Sequence, residues 1–255
     1  MKARALLEIS VETLDAAIVA AHGGADRLEL CRNLSAGGLT PSASMMREAR
    51  EKIRLPIFVM IRPRDGDFCY SPAELEQMKR QIELARSSGM DGVVLGILTQ
   101  GGSVDIDGNA ELVKPAKPLP VTFHRAFDEW HGDREADLES RLEDVILTGA
   151  TRLLTSGGHY TAEEGCSKIA RLVSQGRDRI TILPGGAIRP ANLRSIVQKT
   201  HAREFHSGLS NLRPDARRSY GEFEDSVREL RRVLEEESRV APGTVGFEDS
   251  VRRRA

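Results

Sequence analysis

Two short segments concentrate the residues able to do chemistry: Ile61–Tyr70, IRPRDGDFCY, and Thr122–Asp128, TFHRAFD. Each continues an apolar run rich in β-branched residues, PIFVM before the first and LPV before the second. A strand that turns abruptly into Arg, Asp, Cys and His is leaving a packed core for a site. The same change recurs along the chain and yields five ionisable candidates: Glu8, Glu29, Arg62, His124 and His206. Two carboxylates serve as acid and base when their surroundings separate their pKa values. An imidazole, at 124 or at 206, moves a proton near neutral pH. A guanidinium at 62 grips a carboxylate or phosphate.

Side-chain alternation decides which of these residues share a face. In 6–11, Leu7, Ile9 and Val11 oppose Leu6, Glu8 and Ser10; in 27–31, Leu28 and Leu30 oppose Arg27, Glu29 and Cys31. Helices must cover the fully apolar face of a strand in a parallel sheet, so the mixed face points inward. On that assignment the five candidates converge and must pair, since buried charges need partners. The face choice is least constrained near 120–125, where both sides carry a polar residue. An ion-pair network serving packing alone is the competing reading, although cores rarely bury five ionisable groups for that purpose.

The strands expected to carry these groups are 6–11, 27–31, 56–62, 92–98, 120–125, 152–155, 180–183 and 204–207. Helix-period segments occupy most of the gaps: 13–21, 72–88, 138–148, 161–173, 190–197 and 222–234. Eight strands alternating with helices predict an α/β fold of the (β/α)8 TIM-barrel type, with a doubly wound open sheet as the rival. The joints HGGADRLEL, SSGMDGVVL and LTGATRLLT place Gly24, Gly89 and Gly149 where a helix must end in a left-handed residue. At 255 residues the pattern fits one domain, expected over 1–238 with a loosely held tail over 239–255. FEDSVR occurs twice, at Phe223–Arg228 and Phe247–Arg252. The first copy reads as the last barrel helix; the second lies in the tail.

Barrel active sites lie at the C-terminal ends of the strands, and phosphate is often held by the loops after strands seven and eight. Gly185 and Gly186 follow the seventh strand and open a helix, whose exposed N–H groups suit an anion. Ser207 and Gly208 end the eighth strand, and Ser156 with Gly157 follows the sixth. Together these six form a candidate anion site, with simple turn chemistry as the alternative. Several chemistries are disfavoured. No strand candidate ends in Lys for a Schiff base, no His pair at i, i+4 accompanies a Glu, and Cys-x-x-Cys is absent. Without Gly-x-Gly-x-x-Gly, no nucleotide cofactor is expected.

Cys31 and Cys69 sit near the ends of neighbouring strands, with Met60 close in sequence. Two thiolates suit soft Cu(I), while a buried thiol is more often simply a small hydrophobe, the reading that the residues alone favour. Three cysteines cannot all pair, which fits free thiols in a reducing compartment. The net charge of −1 gives no footprint for nucleic acid or an anionic membrane. The apolar run after Met1 stops at Glu8, too short for an export signal, and no stretch reaches membrane-spanning length. A soluble, cytoplasmic protein is expected, with a small molecule or metal as its ligand and homo-oligomerisation left open.

Taken together, LLEI at 6–9, GADRLELC at 24–31, GGLTPS at 37–42, IRPRDGDFCYS at 61–71, TFHRAFD at 122–128, LLTSGG at 153–158 and FHSG at 205–208 resemble the CutC family, the copper homeostasis proteins. Asp65 stands where that pattern has Gly. The resemblance implies a (β/α)8 barrel, a cytoplasmic role in copper handling, and Cu(I) held by Cys31 and Cys69. It brings no reaction. An enzyme of the lyase, isomerase or hydrolase kind, acting on a small anionic metabolite at the barrel mouth, is the alternative, and an interaction scaffold is a third reading.

Overall fold

Short β-branched runs bounded by Gly, Pro or polar residues form strands buried along nearly their whole length, as a parallel sheet covered by helices requires. In the computed structural model, which describes residues 4–129, 138–209 and 220–239, these strands are β1 (Leu6–Val11), β2 (Arg27–Leu30), β3 (Ile57–Met60), β4 (Gly92–Leu95), β5 (Val121–Phe123), β6 (Arg152–Thr155), β7 (Thr181–Pro184) and β8 (Glu204–Ser207). All pair in parallel in the order β7-β6-β5-β4-β3-β2-β1-β8, and β8 returns beside β7 to bring the sheet nearly closed. The eight α-helices among the described residues are α1 (Leu14–His22), α2 (Ala43–Lys52), α3 (Pro72–Ser87), α4 (Ile106–Ala116), α5 (Leu138–Leu147), α6 (Cys166–Gln175), α7 (Pro190–Thr200) and α8 (Tyr220–Arg239). The fold is a (β/α)8 barrel. Sequence periodicity gave six of these helices; α2 and α4 were not among them.

Local chemistry explains the boundaries. Ser71, just ahead of Pro72, forms a reciprocal capping box with Glu74, so α3 begins where its first free N–H groups gain partners. Gly24, Gly89 and Gly149 all take positive φ at the helix-to-strand joints, a backbone shape that a Cβ would strain. The first FEDSVR copy lies within α8; the second, with the rest of 240–255, lies outside the described residues. Register then sets the interior. Glu8 stands opposite Arg27 on one side and His206 on the other. Phe58 stands opposite Gly92, where a Cβ would come within 2.6 Å of the Phe58 ring, so only glycine leaves space for that ring inside the barrel.

Candidate functional site at the barrel mouth

The inward faces of β1, β2 and β8 bring Glu8, Glu29 and His206 together. His206 Nδ1 lies 2.7 Å from Glu8 Oε1, and its Nε2 lies 3.9 Å from Glu29 Oε2. The first separation is a hydrogen bond; the second is too long for one. All three residues are buried. Arg27 Nε donates to Glu8 Oε2, and Arg27 also reaches Glu204 at 2.8 Å. Arg152 pairs with Glu204 and approaches Glu8 at 3.8 Å. Both guanidiniums stand over the Phe58 ring, 4.8 and 5.3 Å from its centre. Three carboxyl groups (Glu8, Glu29, Glu204) therefore stand with two guanidiniums (Arg27, Arg152) and the His206 imidazole.

The electrostatics follow from that count. Burial opposes ionisation of Glu8, but Arg27 and His206 outweigh it and hold the carboxylate below its usual range. Burial raises Glu29, with Glu8 adding to the rise and the His206 charge opposing it. Burial alone would lower His206; Glu29 and Glu8 reverse that and raise it. Glu29 Oε1 has no hydrogen-bond partner among the described residues. Glu29 and His206 line a cavity of about 780 Å³ at the C-terminal end of the barrel, together with Arg62, His124, Arg125 and Arg189. Glu8 lies below that cavity and touches it through His206.

The sequence placed five ionisable groups in one network, and the structure divides them. Arg62 is not the partner of the carboxylates. Its guanidinium donates to the carbonyls of Ala36 at 2.7 Å and Gly66 at 2.8 Å, and lies 4.7 Å over Phe68, tying together the loops after β2 and β3. The counter-charges are Arg27 and Arg152, which open β2 and β6 within the joints HGGADRLEL and LTGATRLLT. His124, just past β5, lines the cavity from another side. Its Nδ1 accepts from the Ala126 N–H at 3.2 Å. Burial, reinforced by the nearby Arg62 charge, pushes its pKa down to about 3.

The anion site also needs correction. Of its six residues, Gly186 and Gly208 line the cavity, while Ser156, Gly157, Gly185 and Ser207 do not. In the loop after β6 the reason is an internal anion, Asp128. Its carboxylate accepts from Ser156 N at 2.9 Å, Gly158 N at 3.1 Å and the Thr155 hydroxyl at 2.5 Å. Gly157 N is taken by the Thr155 hydroxyl at 2.8 Å, Gly185 N by the Thr155 carbonyl at 2.9 Å, and the Ser207 hydroxyl donates to Ile188 O at 2.8 Å. Arg125 joins Asp128 at 2.9 Å and Ser156 at 2.8 Å and lines the cavity. Asp128 and Arg125 sit inside the TFHRAFD motif, but nothing in their spacing told that the carboxylate folds back onto β6.

Both candidate copper thiols are free. Cys31 is fully buried, and its Sγ lies 3.5 Å from Glu29 Oε2. A Cβ added at Gly38 would stand 3.2 Å from that Sγ and 3.5 Å from Met60 Cε, so thiol and thioether share one small neighbourhood. Cys69 is half-buried, lines the cavity and donates to Thr99 O at 3.2 Å. Burial, then Glu29, pushes the Cys31 thiol well above its ordinary pKa; burial and Asp67 raise Cys69. Among the described residues, the one cluster of three whose ligand atoms all lie within 4.8 Å of one another is Glu8, Glu29 and His206.

The molecule is thus a (β/α)8 barrel carrying a carboxylate–imidazole–carboxylate array under an arginine-rimmed pocket. The chain belongs to the CutC family, whose model matches residues 5–211. The human copper homeostasis protein cutC homolog is 44% identical over 208 residues, covering 82% of this chain and 74% of that protein. The CutC crystal structure from Streptococcus agalactiae superposes with a TM-score of 0.74 at 33% identity, over 80% of this chain and 98% of that one. Phosphoribosyl anthranilate isomerase from Thermotoga maritima has a TM-score of 0.59 at 13% identity, covering 91% of this chain and 99% of that one, a likeness of fold.

Proposed function

We propose that this chain takes part in copper homeostasis, as the names of its relatives say of them, and that the cavity at the barrel mouth is where it acts. The reading best supported by geometry is an acid–base site, in an enzyme of the lyase, isomerase or hydrolase kind, for a small anionic metabolite. One observation carries it: the His206 ring held between Glu8 at 2.7 Å and Glu29 at 3.9 Å beneath an open cavity. Glu8, kept ionised by Arg27, fixes the proton on Nδ1. Glu29 and Nε2 face the ligand, and Arg125 and Arg189 with the Gly186 and Gly208 backbone receive its anionic end. The test is a thermal-shift screen of phosphorylated metabolites on wild type and Glu29→Gln. A ligand that stabilises wild type and loses that effect in the variant is expected; no stabilising ligand overturns the reading.

A second reading is favoured by the soft atoms beside the cavity. Cys31 and Cys69 bind Cu(I), with Met60 adjacent to Cys31. Their raised pKa values mean that binding must expel thiol protons. Cu(I) titration under reducing conditions is expected to release protons, to weaken as the pH falls, and to fail in Cys31→Ser/Cys69→Ser. Unchanged affinity in that double variant removes the assignment. The free thiols fit the cytoplasm as the place of work. The described residues contain no helix long and apolar enough to cross a membrane.

A further inference from the structure

Three residues that line the cavity carry a buried polar atom with no hydrogen-bond partner among the described residues: Glu29 Oε1, Arg62 Nε and His124 Nε2. Such atoms are costly unless something else satisfies them. Glu29 already belongs to the acid–base array. Arg62 spends its terminal nitrogens on loop carbonyls, and its charge also bears on the buried Tyr70 hydroxyl. His124 is the group that the acid–base reading leaves without a task.

Its state is fixed by its surroundings. Nδ1 accepts the Ala126 N–H at 3.2 Å, so a neutral ring carries its proton on Nε2. Phe68 packs against the ring with centroids 4.9 Å apart, and Arg62 lies over the same Phe68, placing a permanent positive charge near the imidazole. A second positive charge on the ring is disfavoured there. Gly96 lies close behind, where a Cβ would come within 2.7 Å of the ring, so the imidazole is seated tightly. A neutral N–H, desolvated, held rigid and next to a fixed cation, is a donor for an oxygen that gains negative charge.

We propose that His124 Nε2–H is the electrophilic donor to a carbonyl oxygen of the substrate, and that the site therefore enolises a carbonyl compound, with Glu29 as the base. This rests on the acid–base reading of the pocket and adds the substrate class. In the step, the Glu29 carboxylate takes the proton from the carbon next to the carbonyl. The C–H pair becomes the C=C bond of the enolate, and the C=O π pair moves to oxygen, where the His124 N–H meets it. The proton returns from Glu29 to the same carbon as the enolate oxygen gives its electron pair back to the C=O bond. No oxidant or second reactant is needed. Arg125 and Arg189 on the cavity wall suit a phosphorylated carbonyl compound.

Two measurements test this on the full chain. Proton–nitrogen spectra of 15N-histidine-labelled wild type, taken between about pH 5.5 and about pH 8 on either side of the ordinary imidazole value, read the ring directly. A neutral Nε2–H ring throughout is expected; an imidazolium at the lower pH or an Nδ1–H tautomer overturns the proposal. Calorimetry then compares matched ketone and alcohol probes, dihydroxyacetone phosphate with glycerol 3-phosphate and ribulose 5-phosphate with ribitol 5-phosphate. The ketones are expected to bind at least about tenfold more tightly, with the preference lost in His124→Phe and partly restored in His124→Gln. Loss of the α C–H signal in D2O is expected with wild type and not with Glu29→Gln. Equal binding of ketone and alcohol, an unaltered preference in His124→Phe, or no deuterium exchange overturns the role of His124 and leaves the pocket standing. Binding of neither member of either pair overturns the pocket reading together with this one.

Discussion

Glu8 shows how much one buried carboxylate can organise. It neutralises Arg27, orients His206 and sits opposite both in register. Replacing it with Gln leaves Arg27 buried beside an uncharged amide, and removing one partner of a buried pair typically costs about 3–5 kcal/mol. Chemical denaturation of Glu8→Gln is expected to show a loss of that order, and a loss below about 1 kcal/mol would mean the pair is solvated. His124 gives a pH signature instead. Its folded pKa, about 3, lies below the unfolded value of 6.5. The unfolded chain then binds more protons between those values, so stability from this residue is complete above the upper one and is lost as the pH falls toward the lower. Against His124→Gln, wild type is expected to lose about 2 kcal/mol of its advantage between pH 7 and pH 5, measured by urea unfolding at both. His206 runs the other way: with its folded pKa raised above 6.5, its contribution is full below that value and is lost as the pH climbs through the folded one.

At the scale of elements, the decisive contacts join one strand end to the next. Asp128 follows β5 and satisfies backbone and hydroxyl donors after β6. Asp128→Ala strips several charge-assisted hydrogen bonds at once, each worth about 1.5–3 kcal/mol. A loss of at least about 3 kcal/mol in denaturant unfolding is expected, and a neutral effect would show that water replaces the carboxylate. The strands were legible because buried β-branched runs between helix-ending glycines leave few alternatives, as Gly24, Gly89 and Gly149 show. Helix α2 was not, because Ala43–Lys52 buries only Met46 and Ala49 and offers little apolar period. Helix α4 hides in a segment containing Gly108 and Pro115. Inward alternation brought Glu8, Glu29 and His206 to one place. It could not say which Arg would pair with them, because that choice depends on side-chain reach across the barrel. Arg62 went to loop carbonyls, Arg27 and Arg152 to the carboxylates.

At the scale of the whole molecule, the barrel separates a permanent layer of charge from an open mouth. A ligand that binds the folded cavity at a hundred times its Kd adds about 2.7 kcal/mol to stability. For a chain of this size that is a rise in Tm of about 5–10 °C. The rise is expected to follow ligand concentration in wild type and to vanish in Glu29→Gln; an equal rise in both would place the ligand elsewhere.

Under that mouth, the cations of Arg27 and Arg152 stand over the Phe58 ring, with Glu8 and Glu204 bridging them and Gly92 yielding the space. No member of this group can be exchanged by itself without stranding a charge, opening a void or, at Gly92, driving a Cβ into the ring. Drift through sequence should therefore treat these six positions as one inherited unit, replaced together or kept together, while the rim above is free to vary with whatever it must hold.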